Sequence, residues 1–205
     1  MNTFLGACQN LGPDDVDADL VRASAITYLE GYLWDPPAAK QAFVRASEIA
    51  HAAGRRVALT LSDQFCVDRY RAEFLELIRN KTVDILFANQ HELKSLYETS
   101  DFDSAVAALR NEDILGAVTV SEKGSLVVTR GETLAVPAYP IQKLVDTTGA
   151  GDLYAAGFLA GLSRDQDLKT CAQLGALAAS EVIQHVGARP QRSLAAMASE
   201  NGLGV

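Results

Sequence analysis

Apolar residues along this chain gather in short unbroken runs, separated by longer stretches in which they recur every three or four positions; this is how strands alternating with amphipathic helices are written. The runs ASAITYLEG (23–31), VALTLSD (57–63), VDILFAN (83–89) and GAVTVS (116–121) predict strands, the third being the clearest buried one. Between them, DPPAAKQAFVRASEIAHAAGRR (35–56) predicts a helix entered through prolines and closed at Gly54. RYRAEFLELIRN (69–80), QHELKSLYE (90–98) and DSAVAALRN (103–111) predict three more. Strand-helix alternation with apolar strands predicts an α/β fold, a mostly parallel sheet with helices on both faces. SLVVTRGETLAVPAY (125–139) breaks the rhythm: two alternating runs flank Arg130-Gly131-Glu132 and predict a hairpin at the sheet edge. Helical stretches at 150–163, 167–186 and 192–200 complete the chain.

Composition narrows the class. At 205 residues, 48% hydrophobic and 21% charged, the chain is expected to form a single globular domain over 1–205. A formal net charge of -8 with no run of basic residues argues against a nucleic-acid partner, which would need clustered Lys and Arg to neutralise phosphates. Cys8, Cys66 and Cys171 are odd in number and lack CxxC spacing, so a reducing, cytoplasmic location is expected. No apolar run approaches the ~18 residues of a membrane span, and residues 1–10 lack the basic start and apolar block of a secretion signal.

Ligands of open parallel sheets bind outside the carboxyl ends of the strands. The polar residues there are Glu30, Asp63, Asn89 and Ser121, although a strand-to-helix loop also needs polar caps. The stretch LVDTTGAGDLYAAGFLAGL (144–162) adds more specific chemistry. If Gly149-Ala150-Gly151 opens a helix, its first N–H groups point outward unpaired, the helix dipole adds about half a positive charge there, and no Cβ obstructs an approaching anion. Asp152 then lies in the first turn beside a phosphate socket, placed to accept a proton from an alcohol attacking a terminal phosphoryl group. On these residues alone, a helix cap with two turn-forming glycines remains the alternative. The small residues Gly157, Ala160 and Gly161 permit close packing of the same helix against a neighbour.

The segment Asp146-Thr147-Thr148-Gly149-Ala150-Gly151-Asp152 resembles the D-T-x-G-A-G-D signature of the ribokinase-like (PfkB) family of sugar and nucleoside kinases. The resemblance implies a Rossmann-like ribokinase fold with Asp152 as catalytic base and the backbone of Gly149, Ala150 and Gly151 as anion hole. It further implies that Asn89 and Glu92, in NQHE, match the family's N-x-x-E and help organise Mg2+ and phosphate, in part through water. The same pair reads equally well as a helix-capping box. VTVSEKG (118–124) is similar to the family's T-x-G-x-x-G nucleotide segment: Thr119 and Gly124 match, while Ser121 replaces the first glycine. LGALAASEVIQHVGA (174–188) resembles the helix and glycine turn beside the adenine pocket, giving Ala178 and Gly187 as nucleotide contacts, although a buried helix would show the same apolar positions.

GACQNLG (6–12) and ITYLEGYLWD (26–35) are most similar to the bacterial adenosine-kinase-like branch. Transfer of the ATP γ-phosphate to a primary hydroxyl of a small-molecule sugar or nucleoside is therefore implied. Some members also bind a monovalent cation near Asp146–Thr148 and the later glycine turn. The resemblance spans nearly all of this chain but only the C-terminal portion of a typical member. The family's first strands, lid, sugar-binding aspartate and G-G-N segment are expected to have no counterpart here, which leaves a noncatalytic, nucleotide-binding fragment as the alternative reading.

Overall fold

Val57, Ala58 and Leu59, with Ile85 and Leu86, have almost no solvent exposure. Consecutive buried residues in an extended chain mean that both strand faces are covered, as in the interior of a parallel sheet. The computed structural model describes residue 4 and residues 6–204; the expectation for residues 1–10 falls partly outside that range. It divides the chain into two compact units, Met1–Leu115 and Gly116–Val205.

In the first unit, β1 (Ile26–Glu30), β2 (Arg56–Thr60) and β3 (Ile85–Asn89) pair in parallel, with Tyr28 opposite Ala58 and Leu59 opposite Leu86. The helices are α1 (Ala18–Ala23), α2 (Pro37–Ala52), α3 (Gln64–Arg79), α4 (Gln90–Leu96) and α5 (Phe102–Asn111). α2 begins with proline, whose missing N–H costs nothing in a first turn, and Gly54 beyond its end adopts φ 68°. Its buried Ala39, Phe43, Ala46 and Ala50 follow the three-to-four spacing of one helix face. Near the end of β1, Trp34 is buried against Phe43 and Phe74 and donates from Nε1 to Glu73 (2.8 Å). Lys40 pairs with the same carboxylate and lies over the Tyr70 ring.

α3 begins five residues earlier than expected. Asp63 caps it by accepting from the Cys66 N–H (2.9 Å), and Tyr70 (φ -121°, ψ 19°) interrupts the helical geometry inside it. α1 was not predicted; Asp17 caps it through the N–H groups of Asp19 and Leu20.

In the second unit, β4 (Leu115–Thr119, which starts at the division), β5 (Ser125–Val128) and β6 (Thr133–Val136) form an antiparallel meander, so the predicted hairpin is present. Thr129 N–H donates to Glu132 O and closes it. α6 (Ala150–Leu162) and α7 (Leu168–Val182) approach each other backbone to backbone: a Cβ added at Gly157 would stand 2.4 Å from Leu174 O, and one at Gly175 2.7 Å from Tyr154 O. The predicted small-residue packing is thus realised between these two helices. α8 (Leu194–Glu200) covers Leu174 and Leu177 of α7 with Met197 and Ala198. No helix among the described residues is long and apolar enough to cross a membrane.

Candidate active site

α1, α3, α4, α5, α7 and α8 each begin with an Asp, Asn or Ser side chain accepting first-turn N–H groups, whereas α2, which opens on Pro36-Pro37, and α6 have no side-chain cap. Ala150 N–H donates to Thr147 O (3.1 Å) and Leu153 N–H to Gly149 O (2.9 Å). Among the described residues, no acceptor meets the N–H groups of Gly149, Gly151 and Asp152. An anion approaching here would meet three unpaired donors at the positive end of a 13-residue helix. Nothing lies within 4 Å of where a Cβ of Gly151 would be, so the approach is open. Asp152 is exposed in the first turn and has no hydrogen-bond partner among the described residues.

The loop leading into this helix is held from a distance. Asp146 Oδ1 accepts from Thr148 N–H (2.9 Å) and Oγ1 (2.7 Å), and its Oδ2 accepts from Gly187 N–H (3.2 Å). These bonds, that of the Thr148 hydroxyl first, hold its carboxyl below the usual carboxylate range. Gly149 has φ 81°, and a Cβ there would stand 2.7 Å from the Cβ of Ala188. The structure thus brings together the predicted Gly149–Asp152 segment and the predicted Gly187 turn (φ 100°). Ala188, Ile183 and Gln184, which fasten this loop, were not foreseen; their contacts span about forty positions and leave no local motif.

On the second turn of α6, the buried Tyr154 hydroxyl donates to Ser125 Oγ (2.8 Å), tying the helix to the start of β5. Thr119 lies opposite Ser125 in the β4–β5 register. Ser121, where the resemblance supplies glycine, has φ 48°, a left-handed backbone that serine occupies at a conformational cost. Gly124 (φ 99°) is fixed by packing as well: a Cβ would stand 2.1 Å from Val136 O. Ala178 is 2% exposed within α7, which accords with interior packing.

In the first unit, the predicted pair forms a complete capping box. Asn89 Oδ1 accepts from His91 and Glu92 N–H (2.8 and 3.0 Å), while Glu92 accepts from Asn89 N–H (2.8 Å) and Nδ2 (2.6 Å). Glu92 is 6% exposed, and burial pushes its carboxyl up to about 7, against the lowering bond from Asn89 N–H and with the nearby Asp63 adding to the rise. A buried carboxyl with both oxygens engaged is a poor direct magnesium ligand. Glu30, the predicted residue at the end of β1, accepts from Ser62 Oγ (3.1 Å).

The raised Glu92 carboxyl carries a stability prediction. Its folded value lies above its unfolded one, so its favourable contribution is complete below about 4.5 and is lost as pH rises through about 7. Glu92→Gln is expected to flatten this slope. Comparing urea midpoints at pH 5 and pH 8, the wild type should lose on the order of 2–3 kcal/mol more than the variant.

An uncapped glycine entry with a carboxylate in its first turn is an arrangement that an anionic group could approach. Residues 1–194 match the pfkB family of carbohydrate kinases, and the chain belongs to that family. It is similar to the adenosine kinase of Sinorhizobium meliloti, 57% identical with a TM-score of 0.96 over 98% of this chain and 62% of that one. A probable sugar kinase from Rhizobium etli CFN 42 is 52% identical, with a TM-score of 0.97 over 99% of this chain and 62% of that one. Adenosine kinase of Saccharomyces cerevisiae is 29% identical over 199 residues, 90% of this chain and 57% of that protein. The chain therefore spans less than two thirds of these relatives' lengths, while the expected ribokinase fold is the one observed.

Proposed function

We propose that this chain carries the phosphoryl-transfer centre of an ATP-dependent kinase acting on a primary hydroxyl of a sugar or nucleoside, with adenosine-like acceptors the first to try. The observation that carries the reading is the bare N-terminus of α6: three free N–H donors with an unengaged Asp152 carboxylate in the same turn. In the proposed step, the acceptor oxygen forms a bond to the γ-phosphorus as the bond from phosphorus to the ADP oxygen breaks. The hydroxyl proton passes to Asp152. The N–H groups of the Gly149–Gly151 entry stabilise charge gathering on the transferred group, in a geometry set before the reaction begins.

Thr119 at the end of β4, Ser121 and Gly124 on the turn after it, and Gly187 are assigned to the nucleotide. Magnesium bound with ATP would neutralise phosphate charge, and because it retains waters readily, Asn89 and Glu92 are assigned to it through water alone. The Asp146–Gly187 junction is the proposed place for a monovalent-cation effect. The sequence similarity to adenosine kinases supports nucleosides over other acceptors.

The test is transfer of labelled γ-phosphate from magnesium-ATP to a panel of nucleosides and sugars by the 205-residue chain, together with ATP binding by calorimetry. A phosphorylated nucleoside or sugar is expected. ATP binding without transfer to any acceptor would favour a nucleotide-binding role, and failure of both would overturn the proposal.

A further inference from the structure

Glu181, at the penultimate position of α7, is 5% exposed, an expensive place for a carboxylate. Its oxygens are fully used: Oε1 accepts from the N–H groups of Gln191 (3.0 Å) and Arg192 (3.1 Å), and Oε2 lies 3.3 Å from His185 Nε2. A serine or asparagine could satisfy two turn N–H groups at lower cost, so the question is what this fastening holds.

Residues 183–188, enclosed by those three contacts, form the wall against which the loop into α6 rests. Ile183 O accepts from Val145 N–H (2.9 Å) and Asp146 N–H (3.3 Å), and Gln184 Oε1 accepts from Gln142 N–H (2.9 Å). Gly187 N–H donates to Asp146 Oδ2, and Ala188 fills the space that a side chain at position 149 would need. Glu181 secures one end of this segment and Asp146 its middle. The left-handed entry at Gly149, on which the three free N–H groups depend, is thereby braced from behind.

We infer that Glu181 is a positioning residue: by fastening the 185–192 turn it holds Ala188 and Gly187 against the Asp146–Gly149 loop and so sets the anion cradle at the head of α6. Its catalytic meaning rests on the kinase reading above, but the fastening itself does not.

The test is amide hydrogen exchange, resolved by NMR, on the 205-residue chain as wild type, Glu181→Ala and Glu181→Gln, with pyrophosphate affinity measured on each. In Glu181→Ala, exchange at Val145, Asp146 and Gly187 is expected to accelerate about tenfold or more, with β5 and β6 unchanged and pyrophosphate binding weakened in parallel. Glu181→Gln keeps an acceptor without the charge and should fall between; if the alanine variant does not fold, the glutamine variant decides. Acceleration confined to Gln191 and Arg192, or spread evenly through β5 and β6, would overturn the inference. If the exchange pattern holds but the wild type binds neither pyrophosphate nor ATP, Glu181 still positions the loop, and it is the kinase reading that fails.

Discussion

Asp152→Asn is expected to lower kcat for phosphoryl transfer by about 10²–10⁴-fold while leaving the KM for ATP nearly unchanged. Asparagine has the same shape and keeps a carbonyl oxygen but cannot take a proton at neutral pH, so the variant removes only the group that accepts the acceptor's hydrogen. The fold should tolerate it. Asp152 is exposed and bonds to nothing among the described residues, so the loss is limited to its interaction with the helix dipole, about 0.3–1 kcal/mol. Removing a negative charge beside the phosphate socket should leave nucleotide affinity equal or slightly tighter. Steady-state kinetics with calorimetry separates the cases: unchanged turnover would remove Asp152 from the base role, and lost ATP binding with intact turnover chemistry would make it a binding group instead.

The elements were legible where burial imposed a period. Val57–Leu59 and Ile85–Leu86 are covered on both faces and read as continuous apolar runs, and the 125–139 hairpin showed its turn in Arg130-Gly131-Glu132. The apolar pattern does not report the elements where that period is broken or absent. The non-helical Tyr70 separates the Asp63-capped first turns of α3 from the 71–79 portion, so the two do not share one apolar stripe. α1 buries no residue and has no stripe to read. α7 was expected to run to 186, but Gly187 at φ 100° closes a turn that begins at Ile183.

The site divides in the same way. Gly149–Asp152 was legible because glycines before a helical carboxylate are a local pattern, and the Asn89–Glu92 capping box was legible for the same reason. The fastening of the glycine loop was not. Ile183 contributes only its backbone carbonyl and Ala188 only its bulk, and neither has a residue type that marks the role. Asp146 was visible as part of the motif, but its bond to Gly187, 41 positions away, is a property of the fold.

The two glycines of the motif should respond oppositely to alanine, which separates the shape of the cradle from access to it. At Gly149 a Cβ would stand 2.7 Å from Ala188 Cβ and 3.0 Å from its Cα, on backbone at φ 81°. Left-handed backbone costs a non-glycine residue about 1–2 kcal/mol, and the contact with Ala188 must also be relieved by moving one of the two loops. Gly149→Ala is therefore expected to destabilise the protein by about 2–3 kcal/mol and, by displacing the donors, to reduce turnover by about 10²-fold. Gly151 lies inside the first helical turn with nothing within 4 Å of its added Cβ. Gly151→Ala should leave stability unchanged or raise it by up to about 1 kcal/mol through helix propensity. Its methyl group would nevertheless project into the open approach to the three N–H groups, so its effect should fall on ligand binding, as a rise in the KM for ATP. Thermal unfolding and initial-rate kinetics on the pair provide the check. Equal stability losses in both variants would mean that the glycines serve only the turn, whereas a stability loss confined to position 149 with a binding loss at 151 is the pattern of a braced loop that presents its backbone to an anion.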